Sequence, residues 1–362
     1  MTSRCNRGTT TEQDARQRGL SLLELMISLA LGGFLMLGLV SMFLATRSSA
    51  QIETALARVQ ENGRFALDLM SQDILRSGYT GCNSVRGIVT ELAKDAAFED
   101  LRGHERSGAG WSPDAPVLIG LDPYSTARNG SDVIILQTGV SMGHDELTTD
   151  IAPTDRSFDI SDNTSGVIQQ NDLIILSNCL TSHLLRVTNS PATSGAAEVK
   201  YETSGNVDSG VEPGYRYTAQ TELMTVENVA WYVADTGRVK NGYNVWALYR
   251  LDLGVSSSFR EEMIEGVEYM QVLYGERSGT GVLRTTRFVS APNVSDWQNV
   301  VAVRVSLLIQ SYELARTEDD TNNYVMLDET IGAATTIAHG GGRALRKVFN
   351  TTLALRNTPY DL

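Results

Sequence analysis

LSLLELMISLALGGFLMLGLVSMFLAT, residues 20 to 46, contains a single ionisable side chain, Glu24. The rest of these 27 residues are apolar, glycine or hydroxyl-bearing. As a helix the run would measure roughly 40 Å at about 1.5 Å per residue. That exceeds the ~20 residues needed to cross a bilayer core. A charge deep in a spanning helix costs at least ~2.5 to 3.5 kcal/mol, so Glu24 reads as a functional residue.

Outward from this run, the charge is lopsided. Arg4, Arg7, Arg16 and Arg18 precede it against Glu12 and Asp14, and only Arg47 follows closely. The positive-inside rule then places the N-terminus in the cytoplasm and exports the remainder. A cleaved secretory signal is the rival, but its apolar core spans about 7 to 15 residues. Here the run is longer, and SMFLATRSSAQIE continues in helical pattern, which predicts a retained single-pass anchor in the inner membrane. The chain has 362 residues and a net charge of −13. That length allows one large or two ordinary domains. The acidity argues against a nucleic-acid partner, whose phosphates would repel it.

Past Arg47, Ile52, Leu56, Val59, Leu67, Met70 and Ile74 keep near three- and four-residue steps, with one slip around Gly63. Glu53, Arg58, Glu61, Arg64, Asp68 and Asp73 lie between them, so residues 47 to 77 read as an amphipathic continuation of the helix. Gly78 suits the left-handed residue beyond its end. From 78 to 362 the pattern turns strand-like. VLIGL, DVIILQTG, DLIILS, HLLRVT, MTVENVAWYVAD, NVWALYRL, GVEYMQVLYGE, VVAVRVSLLIQSYE and RKVFNTTLALR recur between turn-forming residues. Few intervening segments have the length of a crossover helix, which favours an antiparallel or mixed sheet. The expected class is α+β, a long N-terminal helix packed on a large β-rich head. TSGNVDSGVEPG (203 to 214) and ARTEDDTNN (315 to 323) read as exposed loops.

Cys5 falls on the cytoplasmic side, and Cys82 and Cys179 fall in the exported part. Two thiols in an oxidising compartment suggest one disulfide, with two buried free thiols as the alternative. GVSMG (139 to 143) fits the nucleophile-elbow pattern around Ser141, and HGGG (339 to 342) resembles an oxyanion loop. An exported serine hydrolase using Ser141, a carboxylate and His183 or His339 is therefore the distant rival. The polar stretch after Ser141 lacks the helix an elbow needs, and HGGG follows the serine instead of preceding it. His104, His144, His183 and His339 are widely spaced, and no CxxC occurs, so neither metal nor cofactor is expected.

The junction RQRG–LSLLELMISLALGGFLMLGL resembles the type IV prepilin signature: a short basic leader ending in glycine, an apolar residue, and glutamate fifth after the cut. The resemblance implies that a prepilin peptidase removes residues 1 to 19, cutting between Gly19 and Leu20, and that the new amine of Leu20 is methylated. Leu20 stands where phenylalanine or methionine is usual. Four further stretches look like the PilW family of minor pilins: ENGRFALDLMSQDILRSGYTGC (61 to 82), DLIILSNC (172 to 179), WQNVVAVRVSLLIQS (297 to 311) and RKVFNTTLALRN (346 to 357). The likeness implies contacts with other minor pilins and the major pilin through the N-terminal helix. It also implies a role in priming pilus assembly, with twitching motility and adhesion downstream, and a place at the pilus tip beneath a PilY-type adhesin. The runner-up is a GspJ-like minor pseudopilin of type II secretion, whose head is much smaller.

A role for Glu24 follows. Four residues from Leu20 it lies ~6 Å along the helix, close enough to the interface to stay hydrated in a membrane. Between packed helices an unpaired carboxylate becomes strongly unfavourable. Cleavage supplies an α-amine with a pKa of about 7.7 to 8.0. A charge pair at about 4 Å is worth ~4 kcal/mol at an effective dielectric near 20, before desolvation is subtracted. Pairing between neighbouring subunits would set their axial stagger. The rival is an interfacial charge with no partner.

Overall fold

The structure, a computed structural model, describes residues 21–82, 89–108, 110–113, 127–142, 147–164, 166–178, 180–207, 217–218, 221–254, 259–277, 285–313, 315–332, 335 and 337–358. The chain divides into two units, residues 1–51 and 52–362. Helix α1 (Leu22–Arg76) begins in the first and ends in the second. No proline interrupts it, and it stops where Gly78 adopts φ +74°. That conformation suits glycine at a helix end, as expected.

Strands follow in the order β1 (Thr90–Glu91), β2 (Leu101–Ser107), β3 (Gly110–Ser112), β4 (Asp132–Ser141), β5 (Ser157–Ile160) and β6 (Leu173–Ser177). Next come β7 (Ser182–Arg186), β8 (Ala197–Lys200), β9 (Glu222–Lys240), β10 (Tyr243–Asp252), β11 (Phe259–Glu265) and β12 (Val267–Arg277). The last are β13 (Thr285–Val289), β14 (Val300–Gln310), β15 (Asn323–Met326), β16 (Glu329–Gly332), β17 (Ile337–Ala338) and β18 (Arg346–Ala354). Every strand expected from the apolar runs is present except VLIGL, which lies outside the described residues.

The largest sheet runs β1-β7-β6-β9-β4-β2-β3, with β10 on the far half of β9 and β11 beside β10. A second sheet runs β13-β12-β14-β18, and two small sheets pair β15-β16-β17 and β5-β8. Pairing is antiparallel except between β1 and β7 and between β16 and β17, so the architecture is α+β with mixed sheets.

The main core lies where the second half of α1 meets both large sheets. Val59, Ala66, Met70 and Ile74 pack with Val229, Trp231 and Val233 of β9 and with Val303, Val305, Leu307 and Ile309 of β14. The two-residue spacing on each strand is the pleat, which aims alternate side chains at one face. Ala230, Tyr232 and Ala234 point the other way into a separate cluster.

One expectation is corrected. The buried face of α1 is Ala55, Val59, Gly63, Ala66, Met70 and Ile74, in steps of three or four without a slip. Ile52 is exposed, and Leu56 and Leu67 are only partly covered. Small residues hold the centre of the stripe because β18 comes so near. A β-carbon on Gly63 would sit 2.6 Å from the Phe349 ring. Hydrophobicity alone hides such positions, since glycine and alanine carry little apolar signal.

Candidate functional site: the N-terminal helix

In the first unit α1 is apolar and bare. Leu22, Phe34, Leu35 and Met42 are each 70% or more exposed. An 18-residue window of mean hydropathy 2.2 has none of its residues buried. Exposed apolar area on this scale marks a surface meant for lipid or for other helices.

Glu24 sits in the first turn. Its backbone N–H donates to Ser21 Oγ at 3.3 Å, and its Oε2 accepts the Ser21 backbone N–H at 3.4 Å. This reciprocal pair is a capping box, which satisfies two amide donors that a helix start leaves without partners. The box is written in the sequence as S-x-x-E, Ser21 to Glu24. Gly19 and Leu20 lie outside the described residues.

In the second unit the end of α1 is fastened by polar contacts. Asp73 Oδ2 accepts the indole N–H of Trp231 at 3.0 Å and Arg250 Nε at 2.8 Å. Arg250 also donates to Glu227 at 2.7 Å. Burial would lower the Arg250 guanidinium, but its bonds to the two carboxylates hold it above its ordinary value. The last carbonyls of the helix are closed by side chains: Thr138 Oγ1 donates to Arg76 O at 2.8 Å, and Asn357 Nδ2 to Ser77 O at 3.0 Å. Arg58 is ion-paired with Glu313, and Asn62 donates to Glu265 O at 3.0 Å. Asp73 stood among the helix's solvent-facing charges in the sequence. No local signal marks it as an anchor, because its partners come from β9 and β10.

Cys82 lies just beyond the helix and is disulfide-bonded. Cys179, its expected partner, lies outside the described residues.

Ser141 and His183 of the rival hydrolase are not brought together. Ser141 ends β4, and among the described residues between it and β5 there is no helix. His183, on β7, is separated from β4 by β6 and β9. Three strand spacings of about 4.8 Å amount to roughly 14 Å. His183 is buried and shares a hydrogen bond with the Tyr217 hydroxyl. His144 lies outside the described residues.

HGGG does hold an anion, but it is the protein's own. Gly340 N–H donates to Glu268 Oε1 at 3.0 Å, and Gly341 O accepts from Arg346 at 2.8 Å. Burial pushes the Glu268 carboxyl up, but Arg346 and Arg128 outweigh it and hold the group below its usual range. Arg346 also reaches Asp320 at 3.1 Å. Asp320, read in the sequence as part of an exposed acidic loop, is therefore buried. Its charge is matched from a strand 26 residues away. Among the described residues no group of three or more His, Cys, Asp or Glu side chains gathers as a metal site.

Two family models match the chain. Residues 14–40 match the prokaryotic N-terminal methylation motif, which embraces Gly19, Leu20 and Glu24. Residues 231–357 match type IV pilus-assembly protein W, the stretch that supplies Trp231, Arg250, Phe349 and Asn357 to the seat of α1. No curated protein and no solved structure matches the chain. A methylation motif on a bare apolar half-helix, and a W-type match over the segment that fastens its other half, together support a membrane-anchored type IV minor pilin of the PilW kind.

Proposed function

We propose that this minor pilin helps prime type IV pilus assembly and then resides in the tip complex, supporting pilus biogenesis, twitching motility and adhesion. The observation that carries the reading is the single carboxylate, Glu24, in the first turn of an apolar half-helix that none of the described residues covers. Prepilin peptidase cuts between Gly19 and Leu20, and the Leu20 amine is methylated. The helix stays in the inner membrane with its N-terminus cytoplasmic and its head periplasmic. On assembly the bare half-helix packs against other minor pilins and the major pilin. Glu24 then exchanges water for the amine of a neighbouring subunit, and the head meets a PilY-type adhesin at the cell surface.

Cys82 and Cys179 close a disulfide in the head. Supporting this, a β-carbon on Gly81 would lie 2.7 Å from Ser177 Cβ, so the chain just before one cysteine touches the chain just before the other. Non-reducing peptide mapping is expected to return a Cys82–Cys179 pair, and two free thiols would refute it.

The assembly role is tested with Glu24→Ala. Processing and membrane insertion should be unchanged while recovery in sheared pili falls. Normal recovery of the variant would overturn the reading.

A further inference from the structure

A cavity of about 190 Å3 opens beside the C-terminal end of α1, walled by Phe98, Leu101 and Trp297. It is several times the ~30 Å3 that one water occupies in the liquid. Four charged side chains line it: Glu91, Glu99, Asp100 and Arg102. Three are engaged. Glu91 accepts the Phe98 backbone N–H at 2.9 Å. Arg102 is ion-paired with Glu99 and lies 5.4 Å over the Trp297 ring.

Asp100 differs. Its carboxylate rests on the backbone of Gly78, where a β-carbon would come within 2.9 Å of Asp100 Cγ. The carboxylate takes a hydrogen bond from its own backbone N–H. Among the described residues no cation pairs with it. Burial pushes the carboxyl up to about 6, so at neutral pH it is ionised. Because α1 ends here, the negative pole of the helix dipole adds to the same field.

We propose that this cavity receives a lysine or arginine side chain from another protein subunit, with Asp100 as its counter-charge and Phe98 and Trp297 flanking its methylene stem. Such side chains combine an apolar stem with a charged head, matching an apolar wall with one free carboxylate. The net charge of −13 steers basic surfaces toward this chain. A divalent metal fits poorly, because such ions take several oxygen ligands at once and Asp100 offers a single carboxylate.

The cation site can be tested without pili. The full chain in detergent micelles is titrated with N-acetyl-lysine amide and N-acetyl-arginine amide while the indole N–H signals of the four tryptophans are followed by NMR. Trp297→Phe assigns the reporting signal. Both cations should shift it saturably, and N-acetyl-norleucine amide should not. Asp100→Asn should weaken binding roughly tenfold or more, as expected for loss of a charge-assisted hydrogen bond. Unchanged Trp231 and Trp246 signals would show that this variant is folded. Equal shifts with the norleucine amide, undiminished binding by Asp100→Asn, or no shift with any probe would each overturn the site. In cells, a photo-crosslinker at Gln298, which also lines the cavity, should capture a peptide with lysine or arginine next to the crosslinked residue. Captured peptides lacking one, or no capture, would overturn the partner.

Discussion

Arg250 Nε meets Asp73 Oδ2 at 2.8 Å, on the same oxygen that takes the Trp231 indole N–H. One helix residue thereby engages two strands, β9 and β10, and both partners lie in the segment matched to the W family. Both charged side chains are more than three-quarters covered, so the pair is screened far less than a surface bridge. Asp73→Ala leaves a partly buried guanidinium held by Glu227 and an indole donor without its acceptor. We expect a loss of about 2 to 3 kcal/mol, somewhat below the ~3 to 5 kcal/mol for breaking a fully buried pair. Denaturant unfolding of the full chain in detergent measures it, and a loss near zero would show that Asp73 does not hold the helix.

Gly63 and Phe349 make a second, purely steric anchor. Gly63→Ala needs the ring to move by more than half an ångström, which should cost about 1 to 3 kcal/mol through overpacking. Phe349→Leu should be less harmful in the alanine background than in the native one. A double-mutant cycle with coupling of at least ~0.5 kcal/mol is expected, and additive effects would contradict the close approach.

Asp132 gives a pH signature. Its carboxylate is buried and accepts the Val272 backbone N–H at 2.7 Å. Burial first, and then the charges of Glu105, Asp328 and Glu329, push its acidity well above the usual carboxylate range. The folded chain then binds more protons than the unfolded one between the ordinary value near 3.9 and the raised one. Stability from this group is full below that window and is lost as pH rises through it. Asp132→Asn keeps an acceptor for Val272 and removes the ionisation. Its melting temperature relative to the native chain should climb from pH 4 toward pH 8, and a flat difference would refute the assignment.

The capping box separates two roles for Glu24. A glutamine at this position can still complete the box but carries no charge. Glu24→Gln should therefore enter pili as poorly as Glu24→Ala. Ser21→Ala, which removes the other half of the box, should enter at close to native levels. The reverse ranking would make Glu24 a helix cap and nothing more.

How legible this molecule is in its sequence depends on the range of each interaction. The anchor, the end of α1 at Gly78 and strands such as β4, β12 and β14 are written locally, as runs or periods. β11, reading FREEMIE, escaped because it is a charged strand at the sheet margin. Its Glu262 and Glu265 are instead matched by Arg238 and Lys240 across the neighbouring hairpin. Asp73 and Asp320 escape for a shared reason. Each resembles a solvent-facing charge until a partner far along the chain is placed beside it. Gly63 failed differently, since a missing side chain makes no hydrophobic pattern.

The clasp on Arg76 and Ser77 by Asn357 spans 281 and 280 residues. Ribosomes add about 5 to 20 residues per second, so the helix end must wait roughly 14 to 56 seconds for its clasp to be synthesised. Through most of that interval the stripe of Val59, Met70 and Ile74 has no β14 or β18 to cover it. The nascent chain therefore carries an open hydrophobic seam for most of its own manufacture, a period when chaperones and proteases compete for it.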